Sequence, residues 1–139
     1  MKKHLIVATL FFICISLFSS HSFSQTITAD TTLANQYFDL ARKLENDSKI
    51  DSAILYVGKA QALNIKYFGE KSLKNAKFLH SMGQLCWLNN KYELALEYDF
   101  KSLQIRKEIL GEKNTYVAAS YYNIGIVYFF KGEIGRAHV

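Results

Sequence analysis

A repeat of 42 residues constrains the fold of this 139-residue chain more than any other feature of its sequence. The segment AILYVGKAQALNIKYFGEK, residues 53–71, aligns with ALEYDFKSLQIRKEILGEK, residues 95–113, so that alanines, tyrosines and a closing Gly-Glu-Lys coincide. A second series of pairs shares the same spacing, namely Leu40-Ala41, Met82-Gly83 and Ile124-Gly125. A constant period of this length indicates a chain built from stacked supersecondary units.

Each period contains two predicted helices joined by a short break. In residues 71–88 apolar side chains recur at steps of three and four, which predicts a helix with one buried face. These side chains are Phe78, Leu79, Met82, Leu85 and Cys86. A second helix is predicted from Tyr92 to about Leu110, with an inner side formed by Ala95, Leu96, Leu103 and Leu110. The chain is therefore predicted to be all-α.

Residues that favour helix ends and close packing recur at equivalent positions. The predicted turn and C-cap sites tolerate left-handed backbone and are Ser48, Asn90, Gly132, Gly69 and Gly111. Ser72 and Asn114 are predicted N-caps of the helices that follow. Small residues are expected to let helices approach closely, and they are Ala41, Ala53, Gly83, Ala95 and Gly125.

These segments resemble tetratricopeptide repeats of the 42-residue type found in kinesin light chains and in many bacterial repeat proteins. The first helices carry the resemblance in YFDLA (37–41), LHSMG (79–83) and YYNIG (121–125), and the second helices carry it in KYELALEY (91–98) and IRKEILGEKN (105–114). The resemblance implies a right-handed α-solenoid of antiparallel helix pairs over residues 32–133. About two and a half repeats are expected, at 32–68, 71–110 and 114–133.

One position departs from the pattern of the family. Asp99 stands where this repeat type often has an aromatic residue, and Phe100 follows it. A buried carboxylate without a partner costs on the order of several kcal/mol. We therefore expect Phe100 to take the buried role while Asp99 reaches solvent.

The N-terminal segment is typical of a bacterial secretory signal peptide. Lys2 and Lys3 precede an apolar run of about fourteen residues, and small residues before Gln25 suit cleavage after residue 24. The alternative is an uncleaved anchor, although a bilayer-spanning helix needs roughly 20 apolar residues. Residues 25–31 are expected to form a linker. The chain is predicted to be exported, either periplasmic or secreted, or membrane-anchored with periplasmic repeats.

The residues beyond this segment offer little for catalysis. Loss of residues 1–24 leaves Cys86 as the sole cysteine and lowers the formal charge from +5 to +3, because Lys2 and Lys3 are removed. His138 lies in the C-terminal segment 134–139, which is expected to be non-native, so one histidine, His80, and one cysteine remain, and they provide neither a metal site nor a catalytic constellation. We expect no enzyme activity, no catalytic residue, no metal and no cofactor, and neither a nucleic acid nor a small-molecule substrate as partner.

Repeats of this family bind extended peptides or partner helices in a concave groove lined by first helices, so the resemblance implies a protein or peptide ligand. The groove candidates are Phe38, Arg42, Lys77, His80, Gln84, Trp87, Tyr122, Asn123, Ile126 and Phe129. They suit a peptide with apolar anchors and some acidic character. His80 is expected on the surface, and Asn123 is expected to hold a peptide backbone. Trp87 and Phe129 either line the groove or fill the seam between repeats.

The repeat pattern stops at Glu133. The period predicts a counterpart of Tyr92-Glu93-Leu94-Ala95-Leu96 from position 134, but the chain reads IGRAHV instead. The letters EIGRAHV resemble the translated start of a short-read sequencing adapter, so residues 134–139 are expected to be a non-native tail of a truncated fragment. A genuine divergent C-terminus is the alternative.

Two functions from different classes remain open at this point. The first is an exported scaffold that binds peptides or proteins. The second is the N-terminal sensory region of a longer bacterial signalling protein, such as a histidine kinase or transcriptional regulator, whose output domain and possible membrane segment lie downstream. A downstream apolar run of about 20 residues would favour the second.

Overall fold

Five α-helices in antiparallel succession make up the fold. The computed structural model describes the backbone of residues 2–137 and the side chains of residues 24–132, and within these limits it contains no strand. The helices are α1 (Lys2–Asn46), α2 (Ile50–Phe68), α3 (Leu73–Leu88), α4 (Tyr92–Leu110) and α5 (Thr115–Ala137). Each helix packs on the next, most extensively within the pairs α1–α2 and α3–α4. The predicted all-α architecture of helix pairs is confirmed.

The turns fall where the repeat predicts them. Ser48 and Asn90 link the two helices of successive pairs with φ of 59° and 58°. Gly69 and Gly111 end α2 and α4 with φ of 74° and 80°. Positive φ is tolerated best by glycine and next by short polar residues, which explains the residue types at all four positions.

Side-chain caps fix the starts of two first helices. Ser72 Oγ accepts a hydrogen bond from the backbone N–H of Asn75 at 3.2 Å, which satisfies one of the free donors of α3. Asn114 Oδ1 accepts a hydrogen bond from the N–H of Tyr116 at 2.8 Å at the start of α5. Both predicted N-caps are therefore confirmed.

Two connected apolar clusters form the core. The first joins α1, α2 and α3 around Phe38, Val57 and Phe78, and the second joins α3, α4 and α5 around Cys86, Leu103 and Val117. The apolar face predicted for α3 is fully buried, with Phe78, Leu79, Met82, Leu85 and Cys86 all at most 8 % exposed. Each helix pair therefore shields its apolar side against its neighbour, as expected for a stacked array.

Helix α5, the first helix of the third repeat, differs from its prediction in two respects. Gly132 was expected to end it in a turn, but α5 continues through Ala137. Residues 134–137 lack the aromatic and Ala-Leu pattern that folds α4 back onto α3, so nothing local favours a turn. Gly125 was expected at a close helix contact, yet it is exposed and a Cβ there would meet nothing within 4 Å. No helix of the described residues covers that side of α5.

Residues 25–31, expected as a linker, belong to α1. Asp30 in this stretch accepts hydrogen bonds from Lys66 and from the Tyr67 hydroxyl at the far end of α2, which extends the first helix pair by a turn. The predicted signal peptide lies almost entirely outside the residues whose side chains are described, as does the predicted tail at 134–139. Within the described part of the chain, no helix is long and apolar enough to cross a bilayer.

Candidate peptide groove

A cavity of about 290 Å³ opens between α3 and α5. Four of the groove residues predicted from the sequence meet in its wall, and they are Gln84, Trp87, Asn123 and Ile126. Four further residues complete it: Glu45 of α1, Leu88 of α3, Asp99 of α4 and Val127 of α5. We call this space the groove cavity. It places first-helix side chains of two successive repeats around one concave site.

Asp99 lines this cavity, which corrects the expectation that it reaches solvent. Asp99 is 1 % exposed, whereas Phe100, expected to be buried, is 46 % exposed. Asp99 lies on the buried stripe of α4 with Leu96 and Leu103, at the helical spacing of three and four residues. Its carboxylate occupies the space left by the missing side chain of Gly83, where a Cβ would lie 2.7 Å from Oδ1.

Asp99 contacts His80, and His80 in turn contacts Asn123 of the groove cavity. Nδ1 of His80 lies 3.2 Å from Oδ1 of Asp99, and Nε2 of His80 lies 3.1 Å from Nδ2 of Asn123. Nδ2 of Asn123 also lies 3.5 Å from Nδ1 of His80, so the amide approaches both ring nitrogens. The His80 side chain is 18 % exposed, so the expectation of a surface histidine is wrong. The His80 ring therefore contacts one polar side chain of α4, Asp99, and one of α5, Asn123.

The sequence left open whether Trp87 and Phe129 line the groove or fill the seam between repeats, and the structure distinguishes the two residues. The Trp87 ring is half-buried, packs on Phe130 with ring centroids 5.5 Å apart, and lines the groove cavity. Phe129 and Tyr122 are 61 % and 71 % exposed and are not among the residues that line the groove cavity. Trp87 therefore fills part of the seam and lines the groove at once.

The remaining groove candidates lie towards the start of α3 or on the outside. A second cavity, of about 610 Å³, includes Phe38 and Lys77 in its wall. Phe38 is only 8 % exposed and packs edge-on against Phe78, so it is a core residue rather than a free anchor. The Lys77 ammonium lies 4.7 Å from the centre of its ring. Arg42 is exposed and lines none of the described cavities.

Arg106 is a buried polar residue that sequence reasoning missed. Its Nη1 donates to Ser120 Oγ at 2.6 Å and to the carbonyl of Tyr116 at 3.3 Å, which joins α4 to α5. Burial lowers the pKa of the guanidinium, while the charge of Asp99 acts in the opposite direction. Arg106 lies one turn before the end of α4, where a basic side chain is ordinarily solvated. Its position in the sequence therefore gives no sign that it is buried between α4 and α5.

The described residues bring no set of three or more histidine, cysteine, aspartate or glutamate side chains together as a metal site would require. Cys86, buried behind the groove, has a thiol pKa raised by burial. What the site does offer is an aromatic wall, two side-chain amides and a buried carboxylate. These are groups that hold a ligand by contact and hydrogen bonding.

An array of antiparallel helix pairs with a concave cavity along its first helices defines a helical-repeat protein of the α-solenoid class. Residues 76–138 match the family model of the tetratricopeptide repeat. The fold also matches the crystal structure of BtubC (BKLC) from P. vanneervenii, with a TM-score of 0.69 and 24 % sequence identity. The chain therefore has the fold of a tetratricopeptide repeat array, and its residues 76–138 are similar in sequence to that family.

The likeness to BtubC covers 78 % of this chain and 42 % of that one, so the chain spans about two-fifths of the length of that solved relative. No curated protein matches the chain. These comparisons therefore show the fold and the repeat similarity of residues 76–138, and the residues of the groove carry the functional argument.

Proposed function

We propose that this chain is a protein-binding scaffold that holds an extended peptide segment of its partner in the groove cavity. One observation carries the proposal: Gln84, Trp87, Asn123 and Ile126, which the family resemblance implied as groove residues, surround a single cavity between α3 and α5. Tetratricopeptide repeats in general act by such contacts, which supports a role without catalysis. Such a scaffold has to recognise a peptide segment of its partner and to present a stable concave surface to it.

The groove has the mixed chemistry that peptide recognition needs. Ile126, Val127 and Leu88 provide apolar surface for a side chain of the ligand. Gln84 and Asn123 provide amides, which offer both a donor and an acceptor to a peptide backbone. An extended peptide has unpaired backbone groups along its whole length, so amides spaced along the first helices suit it.

The test uses a matched pair of variants of the full chain. Random octapeptides are selected on the parent protein, and their affinities for Ile126→Glu and Ile109→Glu are compared. Ile126 lines the groove cavity, whereas Ile109 is 46 % exposed on α4 and lines none of the described cavities. We expect Ile126→Glu to lose at least about tenfold in affinity, since it places a charge in an apolar contact. Equal losses, or none, would overturn the proposed groove.

We further propose that the chain acts outside the cytoplasm, as its N-terminal residues favour. The apolar run after Lys2 and Lys3 supports export. A fusion of residues 1–31 to a reporter enzyme that is active only after export should give activity, and replacement of Phe11 and Phe12 by Asp should abolish it. Activity unchanged by these substitutions would contradict an export role.

A further inference from the structure

The carboxylate of Asp99 has unused hydrogen-bonding capacity at the floor of the groove cavity. Its Oδ1 is bonded to His80, and Oδ2 has no hydrogen-bond donor among the described residues. Asp99 is 1 % exposed, so bulk water does not fully solvate its charge. A buried carboxylate in this state is costly, and a donor that enters the cavity would relieve that cost.

Asp99 has no lysine or arginine within ion-pair distance among the described residues. Among the described residues, His80 is the one side chain within hydrogen-bond distance of the Asp99 carboxylate. Arg106 influences Asp99 through space, but its hydrogen bonds go to Ser120 and Tyr116, and it forms no ion pair with Asp99 within 4.0 Å. The carboxylate at the floor of the cavity is therefore open to pairing with a basic group of a ligand.

The walls of the cavity suit a cation. Glu45 adds a second carboxylate, and none of the lining residues that the structure describes is lysine or arginine. Trp87 presents its indole beside them, and an ammonium or guanidinium group is attracted to the face of such a ring. A volume of about 290 Å³ is sufficient for one long side chain.

We infer that the groove cavity binds a basic side chain, lysine or arginine, of the partner peptide, with Asp99 as its anionic partner and Trp87 as its aromatic wall. This inference rests on the proposed function, since it names the ligand chemistry of the same groove. It replaces the partly acidic peptide expected from the sequence. That expectation relied on Arg42 and Lys77, neither of which lines the groove cavity.

The full chain carries a built-in reporter for the test, because Trp87 is its only tryptophan. Trp87 fluorescence is followed during titration with N-acetyl-arginine methylamide and N-acetyl-lysine methylamide. The citrulline and norleucine methylamides serve as uncharged counterparts of similar size. We expect at least one basic probe to bind about tenfold more tightly than its uncharged counterpart. Equal responses to basic and uncharged probes would overturn the inference.

A pair of charge-removing variants on α4 locates the effect. Asp99→Asn removes the buried charge with little change of shape, whereas Glu97→Gln removes an exposed charge on the same helix that pairs with Lys101. We expect Asp99→Asn to abolish the preference for the basic probe and Glu97→Gln to keep it. If Asp99→Asn retains the preference, the inference fails. Glu45→Gln provides a second variant, expected to reduce the preference, should Asp99→Asn not fold.

The selected octapeptides separate failure of this inference from failure of the proposed function. Peptides that bind the groove and weaken about tenfold when a lysine or arginine is replaced by norleucine or citrulline support both. Peptides that depend on Ile126 but on no basic residue would support the proposed function and overturn the inference. Absence of any Ile126-dependent peptide would overturn the proposed function, and the amino-acid probes would still decide the chemistry of the cavity.

Discussion

Gly83 and Gly125 occupy equivalent positions of two repeats, and the structure gives them opposite tolerance for a side chain. A Cβ on Gly83 would lie 2.7 Å from Asp99 Oδ1, whereas a Cβ on Gly125 would meet nothing within 4 Å. We expect Gly83→Ala to lower the free energy of unfolding by about 1–3 kcal/mol through overpacking. We expect Gly125→Ala to raise it by about 0.5–1 kcal/mol, since alanine favours the helix. Urea unfolding of both variants checks this, and shifts of the same sign would contradict it.

The buried thiol of Cys86 makes stability depend on pH in the alkaline range. Burial raises the pKa of Cys86 above its ordinary 9.0; the charge of Lys91 opposes this effect, and the charge of Asp99 adds to it more weakly. The protonated thiol is thus favoured in the folded state. Its contribution to stability is fully present below pH 9.0 and is lost as pH rises through the folded pKa.

Urea unfolding between neutral pH and strongly alkaline pH measures this effect by comparing the parent with Cys86→Ala. Cys86→Ala is expected to be less stable at neutral pH because it leaves a small cavity in the core. The stability difference between the two proteins should shrink as pH rises above the ordinary thiol pKa of 9.0. A difference that stays constant with pH would contradict the shift.

At the scale of single residues, the sequence predicted burial well where hydrophobicity decides it and poorly where a polar partner decides it. Phe78 and Leu85 were predicted correctly from helical spacing alone. Asp99 was misplaced because the cost of a lone buried carboxylate was weighed without its partner, His80, nineteen residues earlier. The signal was present in the pairing of Asp99 with the small Gly83, which leaves room for a carboxylate. Recognising it required the contact between α3 and α4.

At the scale of helices, the repeat predicted α2, α3 and α4 closely, since turns and caps are encoded locally. The exceptions are α1, which also includes residues 25–31, and the end of α5, where a turn was expected at Gly132. A turn between paired helices is stable when the next helix packs back, as α4 does on α3. The corresponding side of α5 carries Tyr121 and Tyr128, which are 46 % and 52 % exposed, and no described helix covers them. The local preference of Gly132 for a turn was therefore not sufficient to end α5 there.

This exposed side of α5 predicts that an added second helix would stabilise the chain. We expect replacement of residues 133–139 by a turn and a copy of residues 91–110 to raise the midpoint of thermal unfolding. The copy would cover Tyr121 and Tyr128, and burial of apolar surface contributes about 25 cal/mol per Å². A control extension with Ala95, Leu96 and Leu103 of the copy replaced by Ser should give no rise. Equal midpoints for the two extensions would contradict the prediction.

At the scale of the whole molecule, the period of 42 residues predicted the stacking of helix pairs but not the charge of the groove. Stacking follows from apolar faces that each helix pair shields against the next, and these faces can be recognised in one dimension. The groove cavity instead combines side chains from four helices, α1, α3, α4 and α5. The chemistry of its ligand depends on which polar groups meet there. Asp99, the most important of these groups, comes from α4, which is the second helix of its repeat.

The exposed apolar surface of the molecule also predicts self-association of the 139-residue chain. Tyr121, Tyr128 and Phe129 of α5 are each at least 46 % exposed, and Tyr121 and Tyr128 lie seven residues apart on one helix face. Such a patch on a soluble surface favours contact with a second copy. Sedimentation equilibrium should therefore give an average mass that rises with protein concentration. Tyr128→Lys should lower this association because it places a charge within the patch.

A matched substitution distinguishes the α5 patch from general stickiness. Tyr116→Lys introduces the same change on the same helix, at a tyrosine that is 63 % exposed but lies beside Arg106 rather than with the patch. We expect Tyr116→Lys to leave the concentration dependence of the mass unchanged. Equal effects of the two variants would show that net charge, not the uncovered face, governs association. A parent chain that is monomeric throughout would show that the exposed aromatic side of α5 is stable in water without a covering partner.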